Sequence, residues 1–268
     1  MSAEIPLTQA RRLEAICAHL AQHYRIGIED ICRLFGVTRD TARRDIVRLD
    51  ADGHVLRVRG GAVLPPQETR VRQYAERDGA TSAKQAIGAA AAALIRNGDR
   101  VLFDTSTTVL EVAHALTASP LHAVTNSIDV AETLGKRDGT ELHLTGGQFN
   151  PWQRSLEGAQ ARLGIAQFQF DKLILGACAI DPGGLTCSSG EEADLKGAML
   201  RQASQVIVVA DASKFGKAFL HRLCTFEGVD LLVTDAAPPA AVMAALGAVG
   251  VEVVLTGTAA ASQSLDNR

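Results

Sequence analysis

Five stretches of the chain gather the residue types from which an anion-binding or acid–base site is made, and each follows an apolar run. They are Asp104-Thr105-Ser106-Thr107-Thr108, Thr125-Asn126-Ser127, Thr145-Gly146-Gly147, Gly176 through Asp181-Pro182-Gly183-Gly184, and Asp211-Ala212-Ser213-Lys214-Phe215-Gly216. Glycines let backbone N–H groups approach an anion, and helix starts after Ser106 and Ser127 favour negative charge. Lys214 adds a full positive charge. Together they suit a small phosphorylated or otherwise anionic, hydroxyl-rich ligand. Asp104, Asp181, Glu192, Lys196 and Lys214 are also the acid, base and electrophile that a sugar-phosphate isomerase, deaminase or transferase needs, so an enzyme is the competing reading. No Gly-x-x-x-x-Gly-Lys-Ser/Thr run and no Gly-x-Gly-x-x-Gly after a strand is present, which argues against nucleotide triphosphates and dinucleotides.

A second chemistry lies near the start. Residues 38–49 read Thr-Arg-Asp-Thr-Ala-Arg-Arg-Asp-Ile-Val-Arg-Leu, and Arg57 and Arg59 follow in a short alternating run. Guanidinium is a planar donor fork suited to phosphate and to guanine edges. Through Arg72 the chain carries twelve basic residues, all arginine, against nine acidic ones, and the remainder carries fifteen against twenty-one. A basic head on an acidic body fits a nucleic-acid binder with a separate second domain.

The elements that must position these groups follow from periodicity. Thr8 caps a helix to about His23 with Leu13, Ile16 and Leu20 on one face. A second helix begins near Ile28, with Ile28, Ile31 and Leu34 apolar, and stops at Gly36. Val37 points inward and Thr38 caps a third helix, whose buried stripe is Ala42, Ile46 and Leu49 and on which Asp40 and Arg44 can pair. Helix, tight turn and helix make a DNA-binding helix-turn-helix. Leu56 and Val58 alternate with Arg57 and Arg59 in a wing turned by Gly60-Gly61. Thr41, Arg43 and Arg44 are assigned to base readout, Arg57 and Arg59 to phosphate; Thr38, Arg39 and Arg48 complete the DNA-binding set. The expected division is a winged helix-turn-helix over 1–64, a linker over 65–72 opened by Pro65-Pro66, and an α/β domain over 73–268. In that domain strands are expected at 101–104, 122–125, 142–145, 173–177, 206–210, 231–234 and 251–255. Helices lie between most of them, which predicts a largely parallel sheet with its ligand at the carboxyl ends of the strands.

These residues resemble a known family. Thr38-x-x-Thr41-x-Arg43-Arg44-Asp45 with the Arg57-x-x-Gly60-Gly61-Ala62-x-x-Pro65 wing resembles the head of DeoR-type bacterial transcriptional regulators. The resemblance continues through Asp104-Thr-Ser-Thr-Thr, Val124-Thr-Asn-Ser, Thr145-Gly-Gly, Gly176…Asp181…Gly184, Glu192…Lys196, Asp211-Ala-Ser-Lys-Phe-Gly and Thr234-Asp. It implies a sensor domain similar in fold to ribose-5-phosphate isomerase, a repressor rather than an enzyme, and a sugar-phosphate or polyol-phosphate effector. The implied effector set is Asp104, Thr105, Ser106, Thr107, Thr108, Thr125, Asn126, Ser127, Gly146, Gly147, Asp181, Glu192, Lys196 and Lys214. Val112-Ala-His-Ala-Leu and Val130-Ala-x-Thr-Leu lean towards the glycerol-3-phosphate branch. Ser106 stands where the family pattern has glycine, and serine tolerates a positive φ poorly.

Composition agrees with a folded, water-soluble chain. Of 268 residues, 47% are hydrophobic and 21% charged, which excludes disordered and collagen-like classes. The longest apolar stretch, 86–95, is too short to span a bilayer, and no secretory signal is visible, so a cytoplasmic setting is expected. Five scattered cysteines suggest neither a disulfide framework nor a zinc site, only small buried residues. The expected partners are double-stranded operator DNA, the effector and further copies of the chain, with no cofactor or metal.

Overall fold

Parallel strands covered on both faces read as continuous apolar runs, and the seven such runs in this sequence become one sheet. A computed structural model describes residues 8–23, 25–51, 55–63 and 81–256. The chain divides into two compact units, the main boundary falling between the described residues 63 and 81. The expected linker, residues 65–72, lies outside the described residues.

The first unit runs α1 (Gln9–His23), β1 (Arg25–Gly27), α2 (Ile28–Phe35), α3 (Arg39–Ala51), β2 (Leu56–Val58) and β3 (Gly61–Val63). Ile16, Leu20, Ile31, Ala42, Ile46 and Leu49 pack with Ile26, Val55 and Ala62 into one small core. Gly36 ends α2 in the left-handed conformation, φ 63°. Of the apolar residues of α2, Leu34 is 50% exposed, and one expectation needs correction: Leu56 is 43% exposed, so the wing buries Val55 and Ala62 instead. The strands form an antiparallel sheet in the order β1-β3-β2, in which the three-residue β1 was too short to be read from periodicity.

The second unit is built on a seven-stranded, wholly parallel sheet. Its strands are β4 (Arg100–Phe103), β5 (Leu121–Thr125), β6 (Thr140–Leu144), β9 (Phe170–Gly176), β12 (Ala203–Val209), β14 (Leu231–Thr234) and β15 (Glu252–Leu255), in the order β15-β14-β12-β9-β4-β5-β6. Each expected strand is among them. Around the sheet lie α4 (Ser82–Ala92), α5 (Thr107–Ala115), α6 (Ile128–Leu134), α7 (Ala159–Ile165), α8 (Gly190–Leu200) and α9 (Ala240–Val249). Ile87, Phe103, Val109, Val112, Val130, Ile174, Ile207 and Val233 belong to a core of buried side chains from sheet and helices. Because all seven strands run the same way, the loops leaving their carboxyl ends share one edge. Two small additions are inserted between its strands in sequence: an antiparallel hairpin of β7 (Gln148–Asn150) and β8 (Ser155–Glu157), and a three-stranded sheet of β10 (Ala179–Asp181), β11 (Gly184–Cys187) and β13 (His221–Cys224).

Candidate DNA-reading face and ligand cavity

In the first unit, Thr38 caps α3. Its hydroxyl accepts from Thr41 N at 3.3 Å and lies 3.0 Å from the Thr41 hydroxyl. The wing is fixed to the helices by Arg57 N donating to Asp50 Oδ1 at 3.0 Å and by Ile28 N donating to the Gly60 carbonyl at 3.0 Å. The hairpin turn is Arg59-Gly60 rather than Gly60-Gly61, since Val58 pairs with Gly61. Gly60 takes φ 88°, and Gly61 is needed because a Cβ there would stand 2.1 Å from the Ile26 carbonyl oxygen.

One polar residue of α3 faces inward. Asp45 is fully buried and accepts from Arg12 of α1 through Nε at 2.6 Å and Nη2 at 3.2 Å. This bidentate pair locks α1 to α3 and removes Asp45 from the outer charge balance. The outer face therefore belongs to arginine: Arg39, Arg43, Arg44, Arg48, Arg57 and Arg59 are all exposed. Arg39 pairs with Glu29, and Arg43 lies 3.7 Å from Asp40. Asp40 thus meets Arg43 rather than the expected Arg44. Among the described residues no side-chain hydrogen bond or ion pair engages Arg44, Arg57 or Arg59.

In the second unit, Asp104 ends β4 and Lys196 lies in α8, each almost wholly buried. Lys196 Nζ donates to Asp104 Oδ2 at 2.7 Å and to the Gly176 carbonyl at 2.7 Å, while Gly176 N donates to Asp104 at 3.0 Å. Burial opposes charge on both groups. For Lys196 it is outweighed, chiefly by the Asp104 charge, and the ammonium is raised well above the ordinary lysine value. For Asp104 burial is the largest influence and raises the carboxyl, with Lys196 pulling the other way. Glu192, one helical turn before Lys196, lies 3.6 Å from its ammonium and accepts from Cys178 Sγ at 2.8 Å and Ser188 Oγ at 3.0 Å.

These groups border a cavity of about 200 Å³ lined by Asp104, Thr105, Asn126, Asn150, Gln153, Ser155, Glu157, Ser188, Ser189, Glu192, Leu195 and Lys196. Thr105 and Asn126 come just before the capping residues Ser106 of α5 and Ser127 of α6, and Ser189 itself caps α8. Thr105 Oγ1 and Asn126 Oδ1 are buried and have no hydrogen-bond partner among the described residues, Asn126 as a whole being 2% exposed. One wall is the β7–β8 hairpin, which the sequence reading missed. Asn150 Nδ2 donates to both Glu157 oxygens at 3.0 Å, and Ser155 donates to Glu157 at 2.8 Å. Arg154, at φ 54°, grips Asp129 of α6, and Leu156 N donates to the Asn126 carbonyl at 2.7 Å.

Of the expected effector residues, the cavity brings together Asp104, Thr105, Asn126, Glu192 and Lys196. The others do not line it. Ser106 sits in extended backbone at φ −165°, which any residue adopts, so serine at the family's glycine position carries no strain; its hydroxyl caps Thr108 N and Val109 N. Thr107 and Thr108 open α5, Thr108 being buried. Thr125 donates to the Phe103 carbonyl at 2.8 Å and accepts from Ser127 N, and Ser127 caps Val130 N. Gly146 and Gly147 have positive φ, and a Cβ on Gly147 would stand 2.4 Å from the Glu157 carbonyl oxygen, so they seat the hairpin. Asp181 accepts from Gly183 N at 2.8 Å in the β10–β11 turn. Lys214 lies in a short 3-10 turn capped by Asp211.

An open arginine face on a helix-turn-helix, carried in one chain with a polar cavity whose wall holds unsatisfied atoms, defines a DNA-binding regulator that senses a small molecule. Comparison with known proteins agrees. Residues 12–68 match the DeoR-like helix-turn-helix domain, and residues 80–236 match the DeoR C-terminal sensor domain. The chain is 39% identical over 249 residues to the HTH-type transcriptional repressor GlcR of Bacillus subtilis, covering 92% of this chain and 96% of that protein. It is 40% identical over 214 residues to the transcriptional repressor AccR of Agrobacterium fabrum, covering 78% and 83%. The glycerol-3-phosphate regulon repressor of Escherichia coli is 32% identical over 242 residues, covering 90% and 96%. The protein belongs to the DeoR family of transcriptional regulators. Its relatives are named as repressors and not as enzymes. Among solved structures, ribose 5-phosphate isomerase A from Neisseria gonorrhoeae is similar over 49% of this chain and 52% of that one, at 14% identity and a TM-score of 0.35. That likeness is too distant to bear on function. Among the described residues no helix is long and apolar enough to cross a membrane.

Proposed function

We propose that the protein is a cytoplasmic repressor that binds operator DNA as a homo-oligomer and releases it when a phosphorylated sugar or polyol occupies the sensor cavity. The observation that carries this reading is the pair of buried, unpartnered atoms on the cavity wall, Thr105 Oγ1 and Asn126 Oδ1. A buried polar atom left unpaired costs about 1–3 kcal/mol, and a ligand hydroxyl relieves that cost. The carboxylates of Glu157 and Glu192 and the amide of Asn150 suit hydroxyl groups. The N-terminal turns of α5 and α8 suit a phosphate. The names of relatives, a glycerol-3-phosphate regulon repressor among them, support repression and this effector class.

On the DNA side, Thr41, Arg43 and Arg44 read base edges while Arg57 and Arg59 hold phosphates. Thr38, Arg39 and Arg48 flank them on the same helix. A symmetric oligomer would place one α3 in each half-site. Coupling of ~1–3 kcal/mol between effector and operator would change DNA affinity about 5- to 150-fold.

The test is a thermal-shift screen of the full chain against sugar and polyol phosphates, sn-glycerol 3-phosphate included, followed by operator binding with each hit. Thr105→Val removes a hydroxyl that has no hydrogen-bond partner among the described residues. It should not destabilise the ligand-free protein, since it removes an unpaired buried group, and it should weaken the hit by about 2- to 12-fold, the net worth of one hydrogen bond. No hit in the panel, or hits that bind Thr105→Val as tightly as wild type, would overturn the reading.

A further inference from the structure

Cys178 and Cys187, expected to be unrelated, face each other beside the cavity wall. The β10–β11 register pairs Asp181 with Gly184, Ile180 with Leu185 and Ala179 with Thr186, so the next rung sets Cys178 opposite Cys187. Directly opposed residues of antiparallel strands have Cα atoms about 4.5–5.5 Å apart, within the roughly 4.4–6.8 Å that a disulfide spans. The side chains meet as that register requires. The two sulfurs and a Glu192 carboxylate oxygen lie within 4.8 Å of one another. Cys178 is half-buried and donates to Glu192 Oε1 at 2.8 Å, while Cys187 is 1% exposed.

We propose that Cys178 and Cys187 form a reversible thiol–disulfide modification site, oxidised by a hydroperoxide, whose closure takes the Cys178 donor away from Glu192. The disulfide stands on the geometry of the hairpin alone; its consequence for effector binding rests on the reading of the cavity given above. In the first step the Cys178 sulfur attacks a peroxide oxygen, the O–O bond breaks, and a sulfenic S–OH forms. The thiol proton, held at Glu192, goes to the departing oxygen, which leaves as water. In the second step the Cys187 sulfur attacks the Cys178 sulfur, the S–S bond forms and the S–O bond breaks. The departing hydroxide takes the Cys187 proton as water. With hydrogen peroxide the balance is two thiols and one peroxide to one disulfide and two waters, a two-electron transfer from sulfur to oxygen.

The order of the two sulfurs follows from their surroundings. The hydrogen bond with Cys178, and then burial, push the Cys187 thiol far up, so it stays protonated and out of reach of the oxidant. The more accessible of the two sulfurs is attacked first, which leaves the buried Cys187 to resolve. A thiophilic cation at the same three atoms fits less well. Sulfur and oxygen ligands on tetrahedral zinc stand about 3.6 Å apart, given bonds of about 2.3 and 2.1 Å. Here they are 2.8 Å apart, and the Lys196 ammonium lies 3.6 Å from the same carboxylate.

The experiment treats reduced, chelator-washed full-length protein with a few equivalents of hydrogen peroxide, alkylates the remaining thiols and maps peptides by mass spectrometry. The expected result is a cross-link between the peptides of Cys178 and Cys187 within one chain, reversed by dithiothreitol, with Cys17, Cys32 and Cys224 alkylated. In Cys187→Ser the sulfenic acid should persist on Cys178 and be captured by dimedone. Oxidation of other cysteines first, cross-links only between chains, or stoichiometric zinc in unchelated protein that Cys178→Ser loses would each overturn it. Amide hydrogen exchange over residues 188–196 reads the consequence for Glu192 without any ligand. Oxidised wild type and Cys178→Ala should exchange faster there by about tenfold, the loss of one hydrogen bond to a charged group. Cys178→Ser, which keeps an O–H donor, should not. A cross-link that leaves this segment unchanged would sink the link to the cavity. Failure of every sugar phosphate to bind would instead sink the functional reading and leave the disulfide result as measured.

Discussion

Lys196→Met tests whether the buried charges at the cavity are held by one another. The substitution keeps the length of the side chain and removes the ammonium, which now lies 2.7 Å from Asp104, 2.7 Å from the Gly176 carbonyl and 3.6 Å from Glu192. Asp104 is 1% exposed, so water cannot replace the lost partner. Breaking a buried ion pair from one side costs about 3–5 kcal/mol. For a unit of this size each kcal/mol moves the melting temperature by about 2–4 °C, so the sensor transition should fall by roughly 6–20 °C. The double variant Asp104→Asn/Lys196→Met removes the stranded charge and keeps an acceptor for Gly176 N, and it should recover at least half of the loss. The pH dependence has a definite sign. Burial and Glu192 already raise Asp104, and the variant removes the ammonium that opposes them. A carboxyl raised in the folded state gains protons there before it does in the unfolded chain, so folding strengthens as pH falls. The deficit should therefore be full above the raised value and shrink as pH descends through it towards about 4. Calorimetry of the full chain across that range provides the measurement. Wild-type stability in the single variant, or a double variant no better than the single one, would refute the argument.

Three further outcomes are expected. Arg44→Ala should cost ~1–3 kcal/mol on a selected operator duplex and almost nothing on random DNA, whereas Arg57→Ala should weaken both and flatten the salt dependence, as read by fluorescence anisotropy; equal losses on both duplexes for Arg44→Ala would contradict the assignment. Gly61→Ala, whose Cβ would stand 2.1 Å from the Ile26 carbonyl oxygen, should part β1 from β3 and abolish DNA binding while the sensor transition stays in place. Asp171 is lowered to about 2, first by the side-chain hydrogen bond from Arg100 and then by the Arg100 backbone N–H. Its contribution is present above the unfolded value near 4 and lost as pH falls towards 2, so Asp171→Asn should flatten that part of an acid-unfolding curve; the pair is partly exposed, and high salt should shrink the difference.

What the sequence disclosed depended on whether a residue's role could be read locally. Thr38 at a helix start, Gly36 at a helix end and the Ala42, Ile46, Leu49 stripe each act within a turn or two, and they marked α2 and α3 correctly. Asp45 acts across the core on Arg12, and an aspartate between arginines and apolar residues looks like surface until the partner helix is in place. The same held in the sensor. The seven sheet strands announced themselves as apolar runs, but Gln148–Asn150 and Ser155–Glu157 hold only three residues and one apolar side chain each, too few to show a period, so the hairpin that walls the cavity went unread with Asn150, Gln153, Ser155 and Glu157. One signal was available and missed. Pro182-Gly183 turns the β10–β11 hairpin, and counting outward from that turn sets Cys178 against Cys187.

The recurring Ser/Thr and Gly loops lie at the edge of the sheet where the cavity opens, for a reason that also limits them. Most of those side chains are consumed by the fold: Ser106, Ser127 and Ser189 cap helices, Thr125 ties β4 to β5, and Gly147 admits the hairpin. Capping a helix turns its N-terminus towards the strand end that precedes it, so the residues just before two of the caps, Thr105 and Asn126, are delivered to the cavity with hydrogen-bonding capacity to spare. The cavity's charges are unevenly committed. Asp104 and Lys196 neutralise each other at 2.7 Å, leaving Glu157 and Glu192 as the acidic groups on the remaining wall. A ligand that was an anion throughout would meet repulsion there, and one without charge would leave the α5 and α8 N-termini unanswered. A molecule with hydroxyls along one part and a phosphate at the other would satisfy both, so the proposed effector class draws on the cavity wall as a whole rather than on any single loop.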